Sequence, residues 1–305
     1  MITVKQLGDK HACWAVDYYR KPSGRPTREA DNLATAFAAA VDLAASSAVA
    51  EIDVAWLGQV QEQLIAQGLA RTTINARVRR IRRVFKWGVR QGLVPAEVLV
   101  RLQSIEPLKR GRTRAKEARP IEPVDERLVM RTAAGSAEPM RSMILLMWWT
   151  GMRIGELCIM RPADLDQAEA GWTYRPREHK TEHHGQDRII AIGPRARAEL
   201  EPWLSWKGNP FLFPSVAAER FVFQTRRGTP WTPDSLRQAV RRSTDRLSLE
   251  PWTPLQLRHA AATRLRKLIG VEAARTVLGH SRLQTTEIYA ERDLESARDA
   301  MQLLG

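Results

Sequence analysis

A mainly α-helical fold with a small β-sheet, split between two domains, is what these 305 residues predict. Three observations carry that reading. Apolar residues recur at three- and four-residue steps along most of the chain, the period of helices with one buried face. One facing pair of segments, Trp172–Arg175 and Arg188–Ile192, has the branched and aromatic content of a hairpin around a polar connection. Between Ile105 and Val124 the apolar period lapses, and Pro107, Pro120 and Pro123 alternate with six cations.

Each element follows from local chemistry. Cys13–Tyr19 has the composition of a strand, and Pro22, Gly24 and Pro26 punctuate a turn, so residues 1–28 are read as a short N-terminal segment. Helices are expected from about Asp31 to Ser46, from Asp53 to Gln67 before Gly68, and from Thr72, as cap, to Arg90 before Gly92. A short fourth helix follows Pro95, which closes a helical domain over 29–104. Residues 105–123 form a basic linker, and 124–305 a larger mixed α/β domain. In the larger domain helices are expected at Asp125–Ala134, Pro139–Thr150 and Ile154–Met160 ahead of the hairpin. Behind it come Arg195–Trp206, Thr232–Leu247, Thr253–Leu268 and Glu272–Leu278, with a last helix from near Thr285.

Charge narrows the function classes. Basic residues outnumber acidic ones by 48 to 34, a formal net charge of +14, while a 44% hydrophobic share suffices for a core. Cys13 and Cys158 lie too far apart in sequence for a disulfide framework and form no CxxC pair, which suits a reducing compartment. The first ten residues lack a signal peptide's apolar region, and the longest apolar run, Met143–Trp149, is too short for a membrane. Nucleic acid is therefore the leading partner class, with no membrane partner expected.

The third helix shows where such a partner would lie. Ile74, Val78, Ile81, Phe85 and Val89 make one apolar stripe, and Arg79, Arg82, Arg83, Lys86 and Arg90 project away from it. Guanidinium groups at helical spacing match phosphates along a backbone, whereas the plainer alternative is a solvated charged face. In the linker, Lys109, Arg110 and Arg112 extend the basic surface.

Chemistry is concentrated in the second domain, which lacks a Gly-rich phosphate loop, an HExxH pair and a GxSxG elbow. His179 and His183 are four apart, but that spacing joins two imidazoles only on a helix, and the segment is not helical in pattern. No metal is expected. What stands out is an ordered series: Thr150-Gly151-Met152-Arg153-Ile154-Gly155-Glu156-Leu157, Lys180 in the hairpin, Leu257-Arg258-His259, Leu278-Gly279-His280-Ser281, and Tyr289. Arg258 and His280 are 22 residues apart, and Tyr289 lies nine beyond His280.

In order and spacing this series resembles the tyrosine recombinases, the phage-integrase family, over about residues 30–305. The resemblance implies a site-specific recombinase that cleaves and rejoins DNA through a 3′-phosphotyrosyl intermediate. Arg153 and Arg258 would clamp the non-bridging phosphate oxygens. Lys180 would protonate the leaving 5′-oxygen, Glu156 would orient Arg153, and His280 would hydrogen-bond the phosphate. Tyr289 would be the nucleophile. It further implies a helical core-DNA-binding domain closing with the catalytic domain around double-stranded DNA, a synaptic tetramer, and room for a directionality factor. The expected setting is the prokaryotic cytoplasm, encoded by a phage or other mobile element. Bond energy is kept in the phosphotyrosine, so no cofactor is expected. One position departs from the pattern: three residues before Arg258, where the family commonly has histidine, stands Leu255. His259 matches a second, structural histidine. The rival readings are a type IB topoisomerase-like enzyme and a non-catalytic DNA-binding relative.

Overall fold

A computed structural model describes residues 2–20, 24, 26–169, 171–178, 188–204, 221–225 and 229–279. The chain divides into two compact units, Met1–Pro120 and Ile121–Gly305.

The first unit is a bundle of five helices: α1 (Val4–Tyr18), α2 (Glu29–Ala44), α3 (Val54–Ala66), α4 (Arg71–Arg90) and α5 (Ala96–Gln103). Residues Cys13–Tyr19, expected as a strand, belong almost entirely to α1. The reason is cooperative. Thr3 caps the helix, its hydroxyl accepting from Gln6 N while Gln6 accepts from Thr3 N, and Val4, Leu7, His11 and Ala15 bury one face. Local strand composition yields to that periodicity. Asp53 caps α3 as its position suggests, accepting from Trp56 N at 2.9 Å. Helix α4 begins at Arg71 rather than at a Thr72 cap: Arg71 N donates to Lys116 O at 2.7 Å, so chain from the linker region supplies the missing acceptor. Its apolar stripe is buried as predicted except at Val89, which is partly exposed; Ile74, Ile81 and Phe85 are fully enclosed.

Residues 105–117 are bound to this bundle. Asn75 exchanges two hydrogen bonds with the backbone of Leu108, Arg71 pairs with Glu117, Arg114 pairs with Glu62, and Ala115 joins the core. The lost apolar period thus marks irregular backbone secured by polar contacts rather than a free tether.

His11 is the buried histidine of this core, 5.4 Å from the Trp14 ring and 5.2 Å from Trp87. Burial, and secondarily the charge of Arg83, pushes its pKa down to about 4. The native state therefore holds a neutral imidazole that the unfolded chain protonates near its ordinary 6.5. Stability from this site is complete above the unfolded value and is lost as pH falls from about 6.5 towards about 4, by on the order of 2 kcal/mol or less. Melting temperatures across that range should drop less steeply for His11→Phe than for the wild type; parallel curves would contradict the assignment.

The second unit is built around α7 (Met140–Thr150), whose residues Met143–Trp148 are all buried. Around it lie α6 (Glu126–Ala134), α8 (Ile154–Cys158), α9 (Pro194–Leu204), α10 (Pro233–Arg246) and α11 (Pro254–Leu278), the last broken at Gly270. The sheet is antiparallel, in the order β1 (Leu165–Asp166), β2 (Trp172–Tyr174), β3 (Ile190–Ile192), with Thr173 facing Ala191 across the expected hairpin. Two-residue β1 is too short to show an alternation in sequence. No helix among the described residues is long and apolar enough to cross a membrane.

Candidate active site

Residues distant in sequence meet where α7, α8 and α11 end or begin. Helix α7 stops at Gly151, in the left-handed region at φ +66°. A Cβ there would lie 2.7 Å from Leu278 Cδ2 and 2.9 Å from Ala261 Cβ, so glycine both turns the chain and admits α11. Two residues on, Arg153 occupies the cap position of α8 in extended conformation.

Glu156, one helical turn further, has its carboxylate buried beneath Arg153. It accepts from Arg153 N at 2.7 Å and from Arg153 Nη1 at 2.8 Å. Burial alone would raise this carboxyl's pKa; the charges of Arg188 and Arg153 with their hydrogen bonds outweigh it and hold the group below the usual carboxylate range. Arg153 keeps 24% of its side chain exposed, enough to meet a ligand, while Glu156 keeps 3%.

Arg258, on the first turns of α11, is buried. Its Nη1 donates to Gly151 O at 2.8 Å and its Nη2 to Leu278 O at 2.6 Å. It therefore ties the turn before Arg153 to the end of α11, just ahead of His280 in the chain. His259 is also buried, and burial followed by the Arg258 charge lowers its pKa. Leu255 sits on the first turn of α11, one turn before Arg258, and is 48% exposed. Its neighbour Gln256 is occupied as a cap, its Oε1 accepting from Thr253 N at 2.8 Å.

Of the residues singled out from the sequence, Arg153, Glu156 and Arg258 are brought together. Lys180, His280 and Tyr289 lie outside the described residues, as do His179 and His183. Sequence reasoning missed Arg188, which begins the second hairpin segment and whose side chain is only 4% exposed. Its Nε lies 3.4 Å from Glu156 Oε1 and its Nη1 donates to Val277 O at 3.0 Å. The one signal was a cation opening an otherwise apolar strand. Also missed was the role of Tyr174, wholly buried, whose hydroxyl donates to Glu156 O at 2.7 Å.

The basic row of α4 is divided by its neighbours. Arg80 and Arg83 both pair with Glu29, and Arg83 also donates to the Tyr19 hydroxyl at 2.7 Å. Lys109 pairs with Glu106, while Arg110 acts electrostatically on Glu117. Arg79, Arg82, Lys86, Arg90 and Arg112 have no acidic partner among the described residues. Two grooves flank the ridge. One, of about 360 Å³, includes Asn75, Arg79 and Arg82; the other, of about 340 Å³, includes Asn32, Thr35, Thr73 and Arg77.

The model of the phage integrase family matches residues 122–295. Tyrosine recombinase XerC of Corynebacterium efficiens is 29% identical over 261 residues, covering 81% of this chain and 76% of the relative. XerC of Actinobacillus pleuropneumoniae is 27% identical over 252 residues, covering 80% and 76%. Among solved structures, the Tn1549 transposon integrase in complex with transposon right end DNA superposes with a TM-score of 0.73 at 19% identity, covering 99% of each chain. A lambda integrase dimer bound to a core site gives 0.71 at 16% identity, covering 95% of this chain and 77% of that one. With its family match spanning more than half its length, this chain belongs to the phage integrase family: it is a tyrosine-type site-specific recombinase, an enzyme that breaks and rejoins DNA.

Proposed function

We propose that the chain cleaves DNA with the Tyr289 hydroxyl, forming a 3′-phosphotyrosyl bond and releasing a 5′-hydroxyl strand that rejoins by the reverse step. The observation that carries this reading is the junction of Arg153 and Arg258. They lie 105 residues apart in sequence, yet Arg258 bonds the carbonyl two residues before Arg153. Two guanidiniums held by buried partners suit the extra negative charge of a pentacoordinate phosphate. Glu156 orients Arg153, His280 adds a hydrogen bond to the phosphate, and Lys180 gives the leaving oxygen its proton.

The choice of nucleophile gains support from the other tyrosines. The chain has four. Tyr18 and Tyr19 belong to the first unit. Tyr174 is buried with its hydroxyl committed to Glu156 O, and burial drives its pKa above the ordinary phenol value. Tyr289 is the remaining phenol.

In this reading the unit ending at Pro120 grips core DNA and the following unit performs the chemistry. One protomer supplies one nucleophile and so cuts one strand. Exchanging two duplexes requires four cuts, hence four protomers in the synapse, with a directionality factor as a further partner. Lambda integrase, solved as a dimer bound to a core site, is in keeping with self-association on DNA.

Phosphate contact by α4 is tested by salt. Replacing Arg79, Arg82 and Lys86 together by alanine should flatten the slope of log affinity against log salt by about 2–3 units. Arg83→Ala should change it less than any of those three, because Glu29 already engages that guanidinium. An unchanged slope in the triple variant would assign the row to solvent.

A further inference from the structure

Arg188 is the buried cation that the proposed chemistry does not use. It stands at the entry to β3, enclosed by α8 and the end of α11. Its Nε reaches Glu156 Oε1 at 3.4 Å, its Nη1 donates to Val277 O at 3.0 Å, and its Nη2 is buried without a hydrogen-bond partner among the described residues. Gly279, at φ +63°, passes so close that a Cβ there would lie 2.7 Å from Arg188 Nη1. The fold has thus left a side-chain-free space against this guanidinium.

The contacts form a closed circuit. Arg153 bonds Glu156, Glu156 meets Arg188, and Arg188 holds Val277 O. The next carbonyl, Leu278 O, is held by Arg258, which returns to Gly151 O beside Arg153. Two adjacent carbonyls at a helix C-terminus, the negative end of its dipole, are therefore each met by a different buried arginine.

Charge gives this circuit a consequence. Arg153 and Glu156 alone would be a neutral pair, with the carboxylate competing against a phosphate for the guanidinium. A second cation on the same carboxylate leaves the group of three with a net charge of +1 in a desolvated place, where charge acts at longer range than in water. Arg188 also spans from Glu156 to the backbone just before His280.

We infer that Arg188 is a positioning residue for strand cleavage: by sharing Glu156 with Arg153 and holding Val277 O, it leaves the Arg153 charge available to the scissile phosphate and fixes Arg153 relative to the turn that leads to His280. It rests on the reading of Arg153 and Arg258 as the phosphate clamp.

The experiment compares the full-length wild type, R188M, R188K and R188M/E156Q on a nicked duplex carrying the site that the chain selects from random-sequence DNA. Binding, melting temperature and single-turnover formation of the covalent adduct at saturating protein are measured for each. R188M should bind within about twofold of wild type and form adduct about 100-fold more slowly, the scale of a displaced reacting group. R188K should lose about tenfold, since one ammonium cannot span both acceptors. R188M/E156Q should recover about tenfold over R188M, because removing the surplus carboxylate charge frees Arg153 again. A merely structural strut would behave otherwise, the second substitution cutting another tie and slowing the enzyme further. Wild-type rates in R188M or R188K, or no recovery in the double variant, would overturn the inference. If R188M fails to fold, the R188K rate decides. No adduct from the wild type would instead defeat the reading of the clamp and nucleophile beneath it.

Discussion

Tyr289→Phe is expected to bind DNA as the wild type does and to form no covalent adduct at any pH. The hydroxyl is the only atom removed, so affinity built on phosphates is retained while the bond-forming atom is absent. Loss should be complete within detection, unlike the graded losses for groups that only stabilise charge. Gel retardation measures binding, and denaturing electrophoresis of a nicked suicide substrate measures the adduct. A wild-type-like adduct from Tyr289→Phe would reassign the nucleophile.

The second large effect is a gain. Leu255 stands where the family commonly has histidine, so in the proposed chemistry one acid–base group is missing. Gln256 is not a ready replacement, because accepting the phenolic proton would release the Thr253 cap. The wild-type cleavage rate should therefore rise with pH as the attacking phenol ionises more readily. Leu255→His should raise the rate near neutral pH by about tenfold or more, within the roughly 10²–10⁴-fold that a general acid or base contributes. The half-exposed position, one turn from Arg258 on the same helical face, has room for an imidazole. Single-turnover rates for both proteins across a pH series test this. Equal rates at neutral pH would mean that another group already performs the step.

Apart from α1, the helices of both units were legible, several of them from a buried stripe at helical spacing such as that of α4 through Ile74, Val78, Ile81 and Phe85. The hairpin was legible from its composition. Cys13–Tyr19 misled because strand composition is a local preference, whereas the Thr3–Gln6 capping box and the burial of Leu7, His11 and Ala15 are set by a longer pattern. Cations posed the harder problem. In sequence, Arg79 and Arg83 look equivalent, but Glu29 lies 54 residues before Arg83 and engages that guanidinium alone of the two. Ion pairing of that kind is a property of tertiary packing, and no spacing rule reveals it. Arg188 was hidden for the same reason: its partners Glu156 and Val277 lie on different helices far from it in sequence. By contrast, Arg153 and Glu156 are only three residues apart, at the cap and third positions of α8, and their pairing follows from helix-capping geometry.

The central claim is that one phenol in this chain attacks a phosphodiester between two arginines. Its most direct test is to trap the wild-type adduct on a nicked suicide duplex, digest it with trypsin and nuclease, and sequence the peptide that retains the nucleotide. The account predicts a 3′-phosphotyrosine within Leu283–Arg292, at Tyr289, with a free 5′-hydroxyl on the released strand. A nucleotide on any other residue, a 5′-linked adduct, or tight binding with no adduct would contradict it.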